Sequence, residues 1–426
     1  MVPVIATSLV LGAHATGRLS PTGILSIRPA QFIGNISYAI YLWHWPLVIL
    51  VPFVVATVDW KIKFLILGAC VLFAWATQVL VETRFRRLIN RFSLTTVFVA
   101  TAIIMALVAG AGNALVRTAN QHEAETMSKL DAALTDKESC LGVAALAEDA
   151  DENQACADGQ DLLLDPAAAR QDKNDAIRRG CQISQPLAPP GKTCKFGNGK
   201  TQVALVGNSH SAHWLPALQE LAEERNWTIT TYIVTRCNMS TAPTAYASKK
   251  HRKDCTAYRK WMLHETTSGK YDAVVSSERQ SDPVEGAGWR GTRKASLEGH
   301  EDFLKAWHEA RVPVLVFRDI PFAKSEVLTC VEKHMDGKRL KDPLACSGPA
   351  KDRVKMDPLA EAVKHLDYDD QHLVQTKQWF CQDGICPPVI GRLVTTFDGS
   401  HISRSYAKTL VPVIRRELDQ ADIPGL

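Results

Sequence analysis

The sequence predicts an α/β domain built on a parallel sheet and preceded by transmembrane helices. Three observations predict it. The first 117 residues are mostly apolar, whereas the rest is polar with short hydrophobic runs. Beyond residue 200, β-branched runs alternate with helix-length segments, the order that gives a parallel sheet covered on both faces. The first of those runs ends in Gly207-Asn208-Ser209-His210, a turn between a strand's carboxyl end and a helix's amino end.

At 426 residues there is room for two or three domains. We divide the chain into membrane helices (1–117), an extracytoplasmic linker or extension (118–200) and the α/β domain (201–426). A net charge of +4, with both signs well mixed, leaves no footprint for nucleic acid.

In the membrane part, Phe32 to Val58 and Ile62 to Val81 each offer about 20 residues with few charges, enough to span a bilayer. Thr95 to Val116 is a third such run. Met1 to Ala13 is apolar but shorter, and it lacks the basic start and the cleavage site of a signal peptide. It reads as the end of a helix whose beginning is missing. Arg18 and Arg28 precede the first full span, and Arg84, Arg86, Arg87 and Arg91 follow the second. Only Lys61 and Lys63 lie between the two. The positive-inside rule puts both arginine groups in the cytoplasm, so the third span carries everything after Arg117 outside a multi-pass cell-membrane protein.

The first span contains Asn35-Ile-Ser-Tyr-Ala-Ile-Tyr-Leu-Trp-His-Trp-Pro46. Trp43 and Trp45 suit an interfacial aromatic belt, and Pro46 a tolerated kink. His44 suits a cavity or a partner, because ionisable groups within spans usually face one. This stretch, with Tyr41, His44 and Pro46, resembles the motif near the end of the integral-membrane acyltransferase 3 domain. The span ending in Glu82, followed by Phe85-Arg86-Arg87, is similar to that domain's last helix, with Arg84 where the family usually has proline. The resemblance covers about the last quarter of the domain. It implies acyl-coenzyme A as the donor in the complete system, with the missing amino-terminal helices on another chain or encoded upstream.

Residues 118–200 are rich in Ala, Asp, Glu and Gln, with helix-compatible stretches such as Glu123 to Leu134, and read as an extension that wraps the soluble domain. Cys70 lies in a span and reads as a small buried hydrophobe. The other ten cysteines all follow Arg117, an arrangement suited to an oxidising compartment. Their neighbours suggest bridges Cys140–Cys156, Cys181–Cys194, Cys237–Cys255, Cys330–Cys346 and Cys381–Cys386, though sequence does not fix connectivity. Loops of about 15 residues would contribute roughly 3 kcal/mol each on the chain-entropy model. The rival reading, a metal site, is disfavoured by irregular spacing and the lack of paired histidines, so no metal is expected.

In the soluble domain, Gln202 to Val206, Thr228 to Val234, Asp272 to Ser276 and Val312 to Phe317 read as strands. Ser211 to Arg225, His251 to Glu265, Glu298 to Ala310 and about Ser403 to Leu418 read as helices. Ser209, on the first strand–helix turn, is either a helix-capping serine or a nucleophile at an edge where backbone N–H groups stabilise an oxyanion. Phe397-Asp-Gly-Ser-His401 precedes the last helix, so Asp398 and His401 can converge on one loop. His401 would take the proton from Ser209, and Asp398 would orient and stabilise the imidazolium. Taken alone, Asp-x-x-His more often describes a solvated loop with a capping residue.

Joined, these segments resemble the SGNH family of esterases and acyltransferases over residues 201–426. Ser209 with His213-Trp214 is similar to the SGNH domains fused behind acyltransferase 3 domains, and Cys381 to Cys386 fits the same class. The resemblance implies a three-layer fold, with Asn208 where the family usually has aspartate. For the oxyanion, the Ser209 backbone N–H is one donor. Asn238 and Arg279, after the second and third strands, are candidates for the other, with surface or structural roles as the alternative.

Three functions remain open at this stage. One is O-acyl transfer, of acetyl by the resemblance, onto an extracytoplasmic glycan or glycolipid with no bound cofactor. The second is a cell-envelope carbohydrate esterase with the same triad, and the third a non-catalytic glycan-binding module.

Overall fold

The structure, a computed structural model, describes residues 22–55, 59–89, 91–135, 140–147, 161–185, 188–246, 248–280, 282–323, 326–342, 344–421, 423 and 425–426. Two compact units divide the chain, Met1–Arg117 and Thr118–Leu426.

In the first unit, helix α1 (Arg28–Val54) packs against α2 (Trp60–Ala76) through Ile36, Ala39 and Ala74. Small residues at the contact let the two backbones approach. Trp43 lies 5.1 Å from the Phe73 ring and donates its indole N–H to Thr77 Oγ1 at 2.9 Å. Asp59 starts α2 by accepting the Ile62 N–H. Helix α3 (Leu94–Thr135) follows. Two stretches, Trp60–Phe85 and Leu94–Thr118, are long and apolar enough to cross a membrane. Leu65, Leu72, Ile103 and Leu107 stand more than half exposed along them, a surface that water would not favour. The span expected over Phe32–Val58 falls on α1 as far as it is described. Its end at 56–58, the Met1–Ala13 segment and Arg18 lie outside the described residues.

The second unit is organised on a seven-stranded sheet. Its strands are β1 (Gln182–Ile183), β2 (Lys195–Phe196), β3 (Thr201–Gly207), β4 (Trp227–Val234), β5 (Ala273–Ser277), β6 (Val314–Phe317) and β7 (Gln371–Val374). The order is β1-β4-β3-β5-β6-β7, parallel throughout, with β2 antiparallel on β4. Alternate residues of β3 serve two cores. Val203 and Leu205 face Trp214, Leu218 and Leu410, while Ala204 and Val206 face Tyr258, Met262 and Trp307. Both faces are therefore covered, and the α/β three-layer fold is the one the sequence predicts.

Helices α4 (Ser209–Ala212), α5 (Leu215–Arg225), α9 (Arg404–Thr409) and α10 (Val411–Ala421) contribute to the first core. Helices α6 (Lys249–Thr266), α7 (Gly288–Glu309) and α8 (Pro358–Leu366) contribute to the second. Two expected helices are split. The one after Ser209 breaks at His213-Trp214 before Pro216, and the terminal one breaks at Leu410 before Pro412, because proline is best placed in a new helix's first turn. Within the seven-stranded sheet β1, β2 and β7 were not expected, nor was α8 beside it, and β1 and β2 lie within the stretch read as a linker. From that stretch Leu130, Leu141, Leu162, Leu164 and Ala176 are buried in the core.

The bridges Cys181–Cys194, Cys237–Cys255, Cys330–Cys346 and Cys381–Cys386 are formed. Cys140 is disulfide-bonded, and its expected partner Cys156 lies outside the described residues. Cys70 is free and buried.

Candidate active site

The site is built at the carboxyl edge of β3, the central strand nearest the chain reversal. Gly207 ends β3 at φ +142°, and a Cβ there would come within 2.3 Å of Ser211 Oγ and 2.8 Å of the Ser277 carbonyl. Only glycine fits. The Ser211 hydroxyl fills that space, 2.6 Å from the Val206 carbonyl and 2.7 Å from the Ser277 carbonyl, and accepts the Ser277 N–H at 2.8 Å. The end of β3 is thereby sewn to the end of β5.

Asn208, rather than Ser209, caps α4. Its Oδ1 accepts the His210 N–H at 2.8 Å, which frees the Ser209 hydroxyl from capping. Ser209 Oγ instead lies 2.8 Å from His401 Nε2, and His401 Nδ1 lies 2.8 Å from Asp398 Oδ2. Asp398 Oδ1 accepts the backbone N–H groups of Ser400 and His401, both at 2.9 Å. Burial pushes the Asp398 carboxyl up, but the His401 ring and these two N–H groups outweigh it and hold it below the usual carboxylate range. An ionised Asp398 fixes the proton on His401 Nδ1, leaving Nε2 to accept from Ser209. Phe397 stacks on the His401 ring at 5.3 Å and 9°. The structure thus brings Ser209, His401 and Asp398 into one line.

The amide orientations follow from backbone donors. With Asn208 Oδ1 engaged by an N–H, its Nδ2 is the donor end, 3.1 Å from Asn238 Oδ1 and 3.5 Å from Asp282 Oδ2. Asn238 accepts through Oδ1, so its Nδ2 is its donor end. The Asn238 loop is fixed from two sides. Cys237–Cys255 ties it to α6, and Glu278 Oε1, from the end of β5, accepts the Met239 N–H at 2.8 Å. Burial raises the Glu278 carboxyl well above its usual range, and the negative charge of Asp282 adds to this. The Arg279 guanidinium lies 5.5 Å over the Phe322 ring and 3.9 Å from Asp282. Its Nε is buried without a hydrogen-bond partner among the described residues.

Two further histidines crowd the site. His210 Nδ1 is 2.5 Å from Asp319 Oδ1, and its Nε2 is 3.2 Å from Ser400 Oγ. The His213 ring is 5.1 Å from that of His210, and its Nδ1 accepts the Ile402 N–H at 3.5 Å. Burial lowers His213 well below the usual imidazole range, and the neighbouring His210 and His401 rings add to this, so it stays neutral. Ligand atoms of His210, His213 and Asp319 lie close enough together to surround a metal ion. His210 Nδ1 is taken by Asp319 and His213 Nδ1 by the Ile402 N–H, while His213 Nε2 is buried without a hydrogen-bond partner among the described residues.

His210 and Asp319 were not singled out from the sequence. A signal was present for one of them, since Asp319 directly follows the apolar run Val314–Phe317 at the strand edge where ligands bind. In the first unit, Tyr41, His44 and Pro46 all lie on α1. His44 Nδ1 donates to the Tyr41 carbonyl at 2.7 Å, one turn back, and the two rings are 5.6 Å apart.

Residues 180–416 match the family described as "SGNH domain (fused to AT3 domains)". Similar solved structures include the periplasmic domain of a lipopolysaccharide acetyltransferase from Salmonella ser. Paratyphi A. It is 12% identical with a TM-score of 0.39, over 59% of this chain and 88% of that one. A GDSL-like lipase from Bacteroides thetaiotaomicron VPI-5482 is 11% identical with a TM-score of 0.30, over 52% of this chain and 89% of that one. No curated protein sequence matches the chain.

Proposed function

The chain belongs to the family of SGNH domains fused to acyltransferase 3 domains, and from that premise we propose that it is an O-acyltransferase acting through an acyl-enzyme on Ser209. The observation that carries this reading is the unbroken line Ser209 Oγ–His401 Nε2 and His401 Nδ1–Asp398, 2.8 Å at each link. A capping serine would not leave its hydroxyl on an imidazole.

In the first half-reaction Ser209 gives its proton to His401 Nε2 and attacks the acyl carbonyl. Asp398 holds the ring and stabilises the imidazolium. The Ser209 N–H, with no intrahelical acceptor at the first helical position, and Asn238 Nδ2 receive the oxyanion. The donor's leaving group takes the proton from His401, and Ser209 is left as an ester. An acceptor hydroxyl then gives its proton to His401 and displaces Ser209. Transfer outcompetes hydrolysis when the acceptor is held in place, since effective molarities of oriented groups reach ~10⁵ M or more.

The acceptor we propose is a glycan or glycolipid outside the membrane, and the acyl group acetyl. The two apolar stretches that precede the family domain support a membrane-embedded protein whose SGNH domain faces an oxidising compartment, as do the disulfides. Acyl-coenzyme A is the proposed ultimate donor. Its handling would fall to acyltransferase 3 helices beyond those present here, with Tyr41, His44 and Pro46 as this chain's part of that domain.

The test uses the full chain in detergent with p-nitrophenyl acetate and an oligosaccharide acceptor. Ester-linked acetate on Ser209 by mass spectrometry, acetylated oligosaccharide as product, and loss of both in Ser209→Ala are the expected results. Acetate release with no acetylated sugar would favour the esterase. Unchanged turnover in Ser209→Ala would end the catalytic reading.

A further inference from the structure

We propose that His210 and Asp319 form a positioning pair that clamps the Asp398–His401 loop onto the nucleophile's own helix through Ser400. The inference rests on the function proposed above. His210 directly follows Ser209 on α4, and Ser400 directly precedes His401. The link His210 Nε2–Ser400 Oγ at 3.2 Å therefore joins the neighbour of the nucleophile to the neighbour of the base. The same Ser400 also donates its N–H to Asp398 Oδ1. One residue thus couples the clamp to both the base and its carboxylate.

The clamp has a rigid foot. Asp319, in the turn after β6, accepts the Ile320 N–H at 2.9 Å on Oδ1 and the Gln280 N–H at 2.9 Å on Oδ2, while its own N–H donates to Asp357 Oδ2 at 2.8 Å. His210 and Asp319 are 1% and 4% exposed, whereas the Asp398 side chain is 42% exposed. The Asp398 side chain is the exposed part of this loop; its backbone is held by the Phe397 N–H on the His401 carbonyl and the Ala323 N–H on the Gly399 carbonyl, and the buried pair adds a side-chain link to it. The His210 and His401 rings lie 4.8 Å apart, so loss of the link frees the base to tilt away from Ser209.

Ser400, His210 and Asp319 also have the outline of a second nucleophile–base–carboxylate set. That use fails on the oxyanion. The N–H groups of Ser400 and His401 both point to Asp398 Oδ1, and neither is left for a charge on an acyl group at Ser400. The arrangement is a tether.

Ser400→Ala removes the link and leaves the buried pair in place, and Ser400→Thr restores a hydroxyl. In the full chain, Ser400→Ala should lower kcat for p-nitrophenyl acetate about 10- to 100-fold with KM within twofold, the cost of misplacing a catalytic group by about 1 Å. Ser400→Thr should recover most of it. Amide exchange of the 397–402 segment should quicken about tenfold in Ser400→Ala, with an unchanged melting temperature. Wild-type kcat and wild-type exchange in Ser400→Ala, or a Thr variant no better than Ala, would overturn the clamp. If the wild-type chain shows no Ser209-dependent turnover, the proposed function fails, and the exchange measurement still decides the clamp.

Discussion

Replacing Asn238 tests the oxyanion half of the site. The hydrogen-bond chain from the His210 N–H through Asn208 to Asn238 leaves Nδ2 as the donor end of Asn238, the group proposed above for the oxyanion. Removing one such donor from a water-excluded site costs about 10²–10³ in kcat, or ~2.7–4 kcal/mol of transition-state stabilisation. Asn238→Ala should show that loss with KM little changed. It also strands Asn208 Nδ2, which keeps only the 3.5 Å contact to Asp282, so a stability cost of about 1 kcal/mol should accompany it. Asn238→Asp separates the two effects. It keeps an acceptor for Asn208, and hence the fold, but sets a carboxylate where the oxyanion forms, and should be slower than the alanine variant. Stopped-flow acylation with p-nitrophenyl acetate beside thermal melting reads both quantities. An alanine variant within threefold of wild-type kcat, with the melting temperature lowered, would mean that Asn238 is structural only.

Three further outcomes are expected. Asp398→Asn should reduce kcat by about 10³–10⁴, because an amide no longer fixes the proton on His401 Nδ1; acylation kinetics measure it. Cys237→Ala with Cys255→Ala opens a bridge of sequence separation 18, which should cost about 3 kcal/mol in denaturant unfolding and slow turnover by loosening Asn238. His300, buried with Nδ1 on the Ser296 carbonyl at 2.6 Å, is pushed down to about 4 chiefly by burial, with the Arg259 charge adding. Between about pH 6.5 and 4 the unfolded chain binds the proton and the native state does not, so this group's contribution is present at neutral pH and lost on acidification. The stability difference between wild type and His300→Asn should therefore change by up to roughly 3 kcal/mol from pH 7 to 4, and a difference constant with pH would refute it.

What was legible in the sequence was whatever is local. The run Val203–Val206 ending at Gly207, the Asp398–His401 pair three residues apart, and cysteines 5 to 18 residues from their partners all reveal themselves within a short window. Strands β1 and β2 have two residues each, too few to display an alternation, and β7 begins Gln371-His372, whose polarity masks a strand paired on only one edge. Helix α7 begins at Gly288, ten residues before the amphipathic stretch that announces it, because Gly288-Trp-Arg-Gly-Thr-Arg-Lys offers no apolar face. The pairing of His210 with Asp319 spans 109 residues and joins the ends of β3 and β6, which β5 separates in the sheet, so no spacing rule anticipates it.

The asparagine at 208, where the resembling pattern has aspartate, acquires a physical reason from the same network. Asn208 uses its two ends differently, accepting from the α4 backbone and donating to Asn238 and Asp282. A carboxylate at 208 would still cap α4 through one oxygen. Its other oxygen would sit about 3.5 Å from the buried Asp282 carboxylate, a repulsion on the order of 5 kcal/mol at an effective dielectric constant near 20. It would also demand a donor from Asn238, turning that amide so that its Nδ2 was no longer free for the proposed oxyanion role. Asn208 and Asp282 thus form a compatible pair, and the residue before the nucleophile is the first link of an amide chain that orients Asn238.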